Sequence, residues 1–455
     1  MKHFRGAMRE QGLLMPHDLS DWLPEDHLAR FVIEIVDQLD FSNVYRQYKS
    51  GGSAAYDPKL LVGLLFYGYS TGIYSSRKLE SSTYDSVAFR FISGNQHPDH
   101  DTISHFRKRF LVEIQDWFKQ ILLIGKEMNL LKMGEIYIDG SKIQANASRH
   151  KAMSYTYMER IEKQLEEEIK QLLDLADKQD ALEDKQQLAI PEELKRREDR
   201  IKKIREAKKA IQERAKERYK QEMEAYEQLL AERKQKEEKT GKKLGGNQPI
   251  PPEPGARGSD QYSFTDPESR IMKTPRCFDQ CYNAQAAVNQ DMLIVGAYSN
   301  NHGNDKKEFI PAVNSVSKKL GVITSAIADS GYYSDTNVLK IQEQDIEPII
   351  ATSGEKHNSF LANYLSEPEQ IKAAGTVIER MRQRLRSPGG STLYKKRKQI
   401  VEPVFGIIKE VLGFRRFLLR GEQHTNNEWS LVCIGYNLKR LFKLKMTPKI
   451  ALVSS

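Results

Sequence analysis

Only three cysteines occur in the 455 residues, Cys277, Cys281 and Cys433. They are too few for a disulfide framework and suit a reducing compartment. Cys277 and Cys281 are spaced C-x3-C, but no second Cys/His pair of zinc-site spacing lies near them in sequence. They read as two small residues in or beside a strand rather than as half of a structural zinc site. Long apolar runs are also missing: nothing approaches the roughly 18 apolar residues that a membrane-spanning helix needs. Met1 to Met15 carries charges and no apolar core, so no secretory leader is expected. These absences lead to the expectation of a cytoplasmic protein with no membrane partner.

What the chain has in quantity is charge. Charged residues make up 29% and hydrophobic residues 39% of it, which leaves enough apolar surface for a sizeable core together with long exposed elements. The length allows two or three domains. A net charge of +9 favours a polyanionic partner through counterion release, although a basic surplus alone identifies none.

The pattern changes several times along the chain. Residues 20–125 read as helical: Ala29, Phe31, Val32, Ile35, Val36, Leu39 and Phe41 form an amphipathic stripe, and Asp57-Pro58 is a helix start followed by Leu60, Leu61, Leu64, Leu65, Phe66 and Tyr69. Ser75-Ser76-Arg77-Lys78 reads as a turn into another helix. His100 to Ser104 supplies a polar cap for a helix whose first turns carry Arg107, Lys108 and Arg109. Such a bundle can present cations to phosphate, or it can simply pack with a solvated basic face. Glu135 to Gly140 is a short strand-like run. Residues 150–240 are dominated by Lys, Glu, Arg and Gln, with Met158, Ile161, Leu165, Ile169 and Leu172, then Leu194, Ile201, Ile204, Ala207, Ile211 and Ala215, at three- and four-residue steps on either side of Pro191. Two long helices in an antiparallel hairpin or coiled coil are expected there. Residues 238–262 are rich in Gly and Pro and read as a mobile linker. Strand-like runs then return at 286–288, 292–295, 323–328 and 348–351, with helical stretches at 305–320, 334–344 and 398–412, the pattern of a mixed α/β core.

Three carboxylates stand at places where chemistry could use them. Asp139 and Asp329 end strand-like runs, and Glu402 precedes Pro403, a residue that fits the first turn of a helix and would put Glu402 near a helix start. Two unpaired carboxylates about 4 Å apart repel by roughly 4 kcal/mol at an effective dielectric of about 20, so a cluster of them calls for cations. Mg²⁺ takes hard oxygen ligands and keeps several waters, and a pair of such ions roughly 3.5–4 Å apart serves phosphodiester chemistry. Taken singly, a strand-end aspartate is more often a turn or cap residue than a ligand, and each acid is a weak signal.

An ordered set of motifs supplies the context. Tyr56-Asp57-Pro58-Lys59-Leu60-Leu61, Ser75-Ser76-Arg77-Lys78-Leu79-Glu80, Asp101 to Arg107, Asp139-Gly140-Ser141-Lys142, Thr265 to Arg270, Tyr282-Asn283-Ala284-Gln285, Ala328 to Tyr332 and Val401 to Gly406 follow one another. With them the chain resembles the bacterial insertion-sequence transposases of the DDE class, and among these the group with an InsH-like N-terminal domain and a long helical insertion. The resemblance spans almost the whole chain. It implies an α/β protein with an RNase H-like mixed-sheet catalytic core at 126–150 and 260–445. Around that core it implies an all-helical DNA-binding domain at 1–125, a coiled-coil insertion at 151–237, a flexible linker at 238–259 and a tail at 446–455.

By the same resemblance Asp139, Asp329 and Glu402 are the catalytic acids and bind Mg²⁺ or Mn²⁺, as two ions. Lys409 lies seven residues after Glu402, as the family pattern expects of a DNA contact. Arg397 and Lys398 compete for the arginine position of that pattern, and Tyr394 stands one residue upstream of the usual tyrosine. Arg107 and Lys108 are further expected DNA contacts. The implied function is transposition: binding of terminal inverted repeats, cleavage that frees 3′-hydroxyl ends, and joining to target DNA by a homodimer at the nucleoid. A nuclease of the same fold, or a copy that only binds DNA, would share many of these features.

Overall fold

The computed structural model describes residues 18–48, 54–148, 151–180, 190–240, 248–275, 277–352 and 375–447. Residues 241–247 of the expected linker, and the expected tail from 448 onward, lie outside them. In chain order the helices α1 (Leu28–Asp37), α2 (Ser42–Arg46), α3 (Pro58–Thr71), α4 (Ser76–Asp85), α5 (Val87–Ile92), α6 (His100–Arg109) and α7 (Leu111–Glu127) come first. Strands β1 (Glu135–Gln144) and β2 (Ala152–Ser154), helices α8 (Tyr155–Asp180) and α9 (Ile190–Thr240), and strands β3 (Gln261–Ser263) and β4 (Arg270–Lys273) follow. Then come β5 (Phe278–Asn289), β6 (Ile294–Asn300), α10 (Phe309–Asn314), β7 (Ser325–Ala328), α11 (Asp335–Gln342) and β8 (Glu347–Ile350). Helices α12 (Val377–Arg386), α13 (Pro388–Gly406) and α14 (Glu422–Met446) close the described chain. Among the described residues no helix is long and apolar enough to cross a membrane.

The chain divides into two compact units, residues 1–145 with 281–455, and residues 146–280. The N-terminal helices and the sheet therefore share one unit, where a separate helical domain was expected. The reason lies in α3. Asp57 caps its first turn by accepting from Lys59 N, Pro58 stands at its start, and nearly all of its circumference is apolar and buried. A helix apolar on all sides must be covered on all sides, and α14 covers it. The approach is close: a Cβ added at Gly435 of α14 would lie 2.6 Å from the Tyr69 carbonyl carbon. Gly435→Ala is expected to cost about 1–3 kcal/mol, the range for overpacking, and to lower the calorimetric unfolding temperature. Gly406→Ala, which opens onto free space, should not lower it.

Within this unit the strand order is β6-β5-β1-β7-β8. β5 runs antiparallel to both β6 and β1, while β1, β7 and β8 run parallel. Trp429 of α14 is fully buried and donates to the Gln285 carbonyl at 2.9 Å, which pins that helix to β5.

In the second unit α8 and α9 pair antiparallel. Glu162 meets Lys208 and Arg205, Glu166 meets Arg205, and Glu168 meets Arg197, so numbers rise along one helix as they fall along the other. The seam holds Met158, Leu165, Ile201, Ile204, Ala207 and Ile211, all named by the helical periodicity. The expected linker is corrected at both ends. Residues 238–240 continue α9, and residues 255–260 fold back on it: Arg218 holds Asp260 at 2.8 Å and the Gly255 carbonyl at 3.2 Å, and Arg257 reaches Glu222 at 3.0 Å. Glycine and proline mark a bend here, but the charged side chains of α9 anchor it.

Candidate active site

β1 lies between β5 and β7, and its two edges are paired over different lengths. Pairing with β5 continues to Gln144, whereas pairing with β7 stops at Tyr137. Asp139 was expected at a strand end, but it stands inside a ten-residue strand. It is β7 that ends, at Ala328, and among the described residues this leaves the edge of β1 at Asp139 without a strand partner until Gln144, where Arg416 bridges it. Asp329 follows immediately and caps the 3-10 turn Ser330–Tyr332, accepting from Gly331 N at 2.9 Å.

Glu402 also stands elsewhere than its local sequence suggested. Helix α13 starts at Ser387-Pro388, where Ser387 accepts from Gly390 N, so Pro403 is an interior proline and Glu402 lies deep in the helix. Pro403 has no N–H to give the Gln399 carbonyl one turn back. The helix passes into a π turn, Ile407–Val411, soon afterward. The Lys409 ammonium on that turn donates to Ser141 Oγ and, at 3.4 Å, to the Lys142 carbonyl. Likewise α6 begins at His100 rather than after Ser104, because Asp99 caps it by accepting from Thr102 N.

The three acids meet at Arg397. One guanidinium nitrogen lies 3.2 Å from Asp139 Oδ1 and 3.5 Å from Asp329 Oδ2, and the other lies 3.3 Å from Glu402 Oε1. Arg397 is buried, Asp139 is mostly covered, and Asp329 and Glu402 open increasingly to solvent. Burial pushes the Asp139 carboxyl up to about 6; Arg397 and the Gly140 N–H pull it down, while Asp329 and Glu402 push it further up. Burial works against the charge of Arg397, but Asp139, Asp329, Tyr394 and Glu402 outweigh it and raise its pKa. Burial lowers that of Lys409, against the pull of Cys281, Asp139 and Glu410.

Of the expected cations, Arg397 turns inward to the acids and Lys398 is exposed to solvent. Lys108 is exposed on α6. The expectation for Arg107 is corrected: it is buried and donates to Tyr69 Oη at 3.2 Å and to the Tyr74 carbonyl at 3.0 Å, so its charge serves the helical layer, not a phosphate. Asp305 was missed altogether. It accepts from Lys142, Asn283 and Gln285 beside the site, and an acid opening a short 3-10 turn carries no periodicity or strand-end signal to mark it.

Among the described residues no set of three His, Cys, Asp or Glu side chains is arranged to hold a metal ion as it stands. The three acids instead share one guanidinium, which neutralises only part of their charge. A donor set made wholly of carboxylate oxygens that already gathers around a cation fits a hard divalent ion.

Residues 17–109 match the family described as Transposase domain (DUF772), and residues 368–442 match the family described as Transposase DDE domain. The second match takes in Arg397, Lys398, Glu402 and Lys409 and leaves out Asp139 and Asp329; the two together cover less than half of the chain. No curated protein and no solved structure matches the chain.

Proposed function

We propose, from the premise of an insertion-sequence transposase of the DDE class that both family matches support, that this chain cuts the ends of its own element and joins them to target DNA. The observation that carries the reading is the convergence of Asp139 from a strand, Asp329 from the turn that follows another, and Glu402 from a helix, on one buried Arg397. The strand order, with three antiparallel strands followed by two parallel ones, supports an RNase H-like core. The antiparallel seam of α8 and α9 supports a coiled-coil insertion.

In this reading Asp139, Asp329 and Glu402 hold Mg²⁺ or Mn²⁺, as two ions, which when bound supply charge relief at phosphorus and activate the attacking oxygen. The protein's own groups do the rest. Where pairing with β7 stops, Asp139 of β1 and Asp329 after β7 stand side by side, both against Arg397. Arg397 must swing away from the carboxylates to free their oxygens, and its guanidinium is then available to a phosphate of the DNA. Lys409, held by Ser141, adds a second cation at the rim, and Lys398 and Lys108 offer exposed charges to more distant phosphates. Two displacements follow: water attacks the phosphodiester at the element end and the 3′-oxygen leaves with a proton, then that 3′-hydroxyl loses its proton and attacks a target phosphodiester, whose own 3′-oxygen leaves. No protein side chain is joined to DNA at either stage. Two ends must be handled together, so the working form is a homodimer.

The test is a labelled duplex carrying the element's own end, incubated with purified protein with and without Mg²⁺. Nicking at the end followed by strand joining, both metal-dependent, is the expected result. Binding with no cutting would leave only a DNA-binding protein; cutting with no joining would leave a nuclease of the same fold.

A further inference from the structure

Resting on that reading, we infer that Asp305 is a positioning residue for the reaction, setting Asp139 and Asp329 from behind through Lys142, Gln285 and Tyr332. Side chains alternate along a strand, so Asp139 and Ser141 point to one face of β1, and Gly140 and Lys142 to the other. Gln285 and Asn283 of β5 pair directly with Gly140 and Lys142 and share that second face. Three donors converge there on Asp305 Oδ1: Asn283 Nδ2 at 2.6 Å, Gln285 Nε2 at 2.8 Å and Lys142 Nζ at 3.1 Å. The fit depends on Gly140. A Cβ on it would stand 2.3 Å from Gln285 Nε2 and 3.0 Å from Asp305 Oδ1. Asp305 and Gln285 therefore fill the space that a side chain on the residue next to Asp139 would need, and leave room only for glycine there.

A second arm leads to Asp329. With its amide donating to Asp305, Gln285 turns its Oε1 to Tyr332, whose hydroxyl donates to it at 2.5 Å. Tyr332 closes the 3-10 turn that Asp329 caps. One carboxylate thus fixes the amide orientation of Gln285, and through it the turn that aims Asp329. Lys142 supplies the compensating charge for a carboxylate that is three-quarters covered. Removing an outer partner of a metal ligand typically costs about 10–100-fold in metal affinity or activity.

The experiment compares wild type, Asp305→Ala, Asp305→Asn and Tyr332→Phe as full-length proteins. It reads Mn²⁺ affinity by electron paramagnetic resonance, single-turnover nicking, end binding and thermal unfolding. Asp305 acts through Gln285 and Tyr332 rather than on the acids directly, so Asp305→Ala is expected to weaken Mn²⁺ binding and slow nicking by about 10-fold, the low end of the range for outer partners, with end binding unchanged. Asp305→Asn keeps an acceptor oxygen and should recover part of the loss. Tyr332→Phe keeps the ring and should lose less, in the same direction; it decides the matter if Asp305→Ala does not fold. Wild-type Mn²⁺ affinity and nicking in both Asp305→Ala and Tyr332→Phe would overturn the inference and leave the transposase site standing. A wild type that neither binds Mn²⁺ nor nicks would bring down the site and this inference together.

Discussion

Asp139→Asn, Asp329→Asn and Glu402→Gln are each expected to abolish nicking and joining while end binding survives. Each substitution keeps the shape of the side chain and removes its charge. The loss should be on the order of 10³-fold or more, at or above the scale of deleting one preorganised stabilising group. The effect should be largest at Asp139, the most covered of the three acids, because water cannot substitute for its oxygen. Asp139→Asn carries a second signature that needs no DNA. With its carboxyl pushed up to about 6, Asp139 favours the folded state when protonated. That contribution is fully present below the ordinary carboxylate value near 3.8 and is lost as pH rises through about 6. At about 1.4 kcal/mol per pKa unit the loss is at most about 3 kcal/mol. Urea unfolding in EDTA should therefore show wild type losing stability between about pH 4 and 6.5, and Asp139→Asn showing a flatter profile. Nicking that persists in all three variants would mean that other carboxylates do the chemistry.

The second large effect is expected at Arg397. Arg397→Gln leaves the acids without their common cation, and breaking a buried ion pair from one side costs about 3–5 kcal/mol. The lower end applies here, because Asp329 and Glu402 face solvent and Asp139 can take up a proton. The loss should accordingly shrink toward acid pH and be recovered by Mg²⁺, which binds the folded form. Mn²⁺ affinity should rise, since no guanidinium has to leave the carboxylates first. Thermal unfolding in EDTA and in Mg²⁺ measures the first effect, and Mn²⁺ titration the second. A different result would assign Arg397 another role. If the variant is as stable as wild type without metal and binds Mn²⁺ no better, but binds all DNA more weakly with a reduced salt slope, Arg397 is a phosphate contact only.

How much of this was legible in the chain differs from element to element. The seam of α8 and α9 could be read residue by residue, since helical periodicity alone decides which face of such a charged stretch is apolar. The start of α3 could be read as well, because the cap at Asp57 and the proline after it act on their own backbone. Glu402 could not be placed this way. Pro403 is compatible both with a first turn and with a kinked interior, and the choice fell to Ser387-Pro388, fifteen residues upstream, together with burial of Ile400 and Val401. Nor could Arg397 be told from Lys398. They are adjacent cations on one helix, and only the sheet against which that helix packs determines which of them is buried.

The sequence by itself determined the coarse local facts: where helical and strand-like stretches lie though not always where they begin or end, that three cysteines make no disulfide framework, and which acids deserve suspicion. These depend on interactions within a few residues, and short-range backbone and side-chain preferences suffice to specify them. The tertiary structure decided what meets what. It brought Asp139, Asp329 and Glu402 to one guanidinium, withdrew Arg107 into the helical layer, and set Asp305 behind Gly140. Those outcomes follow from where β7 stops, how β1 and β5 register, and which faces are left to bury. They are long-range consequences of packing, and no window along the chain contains them.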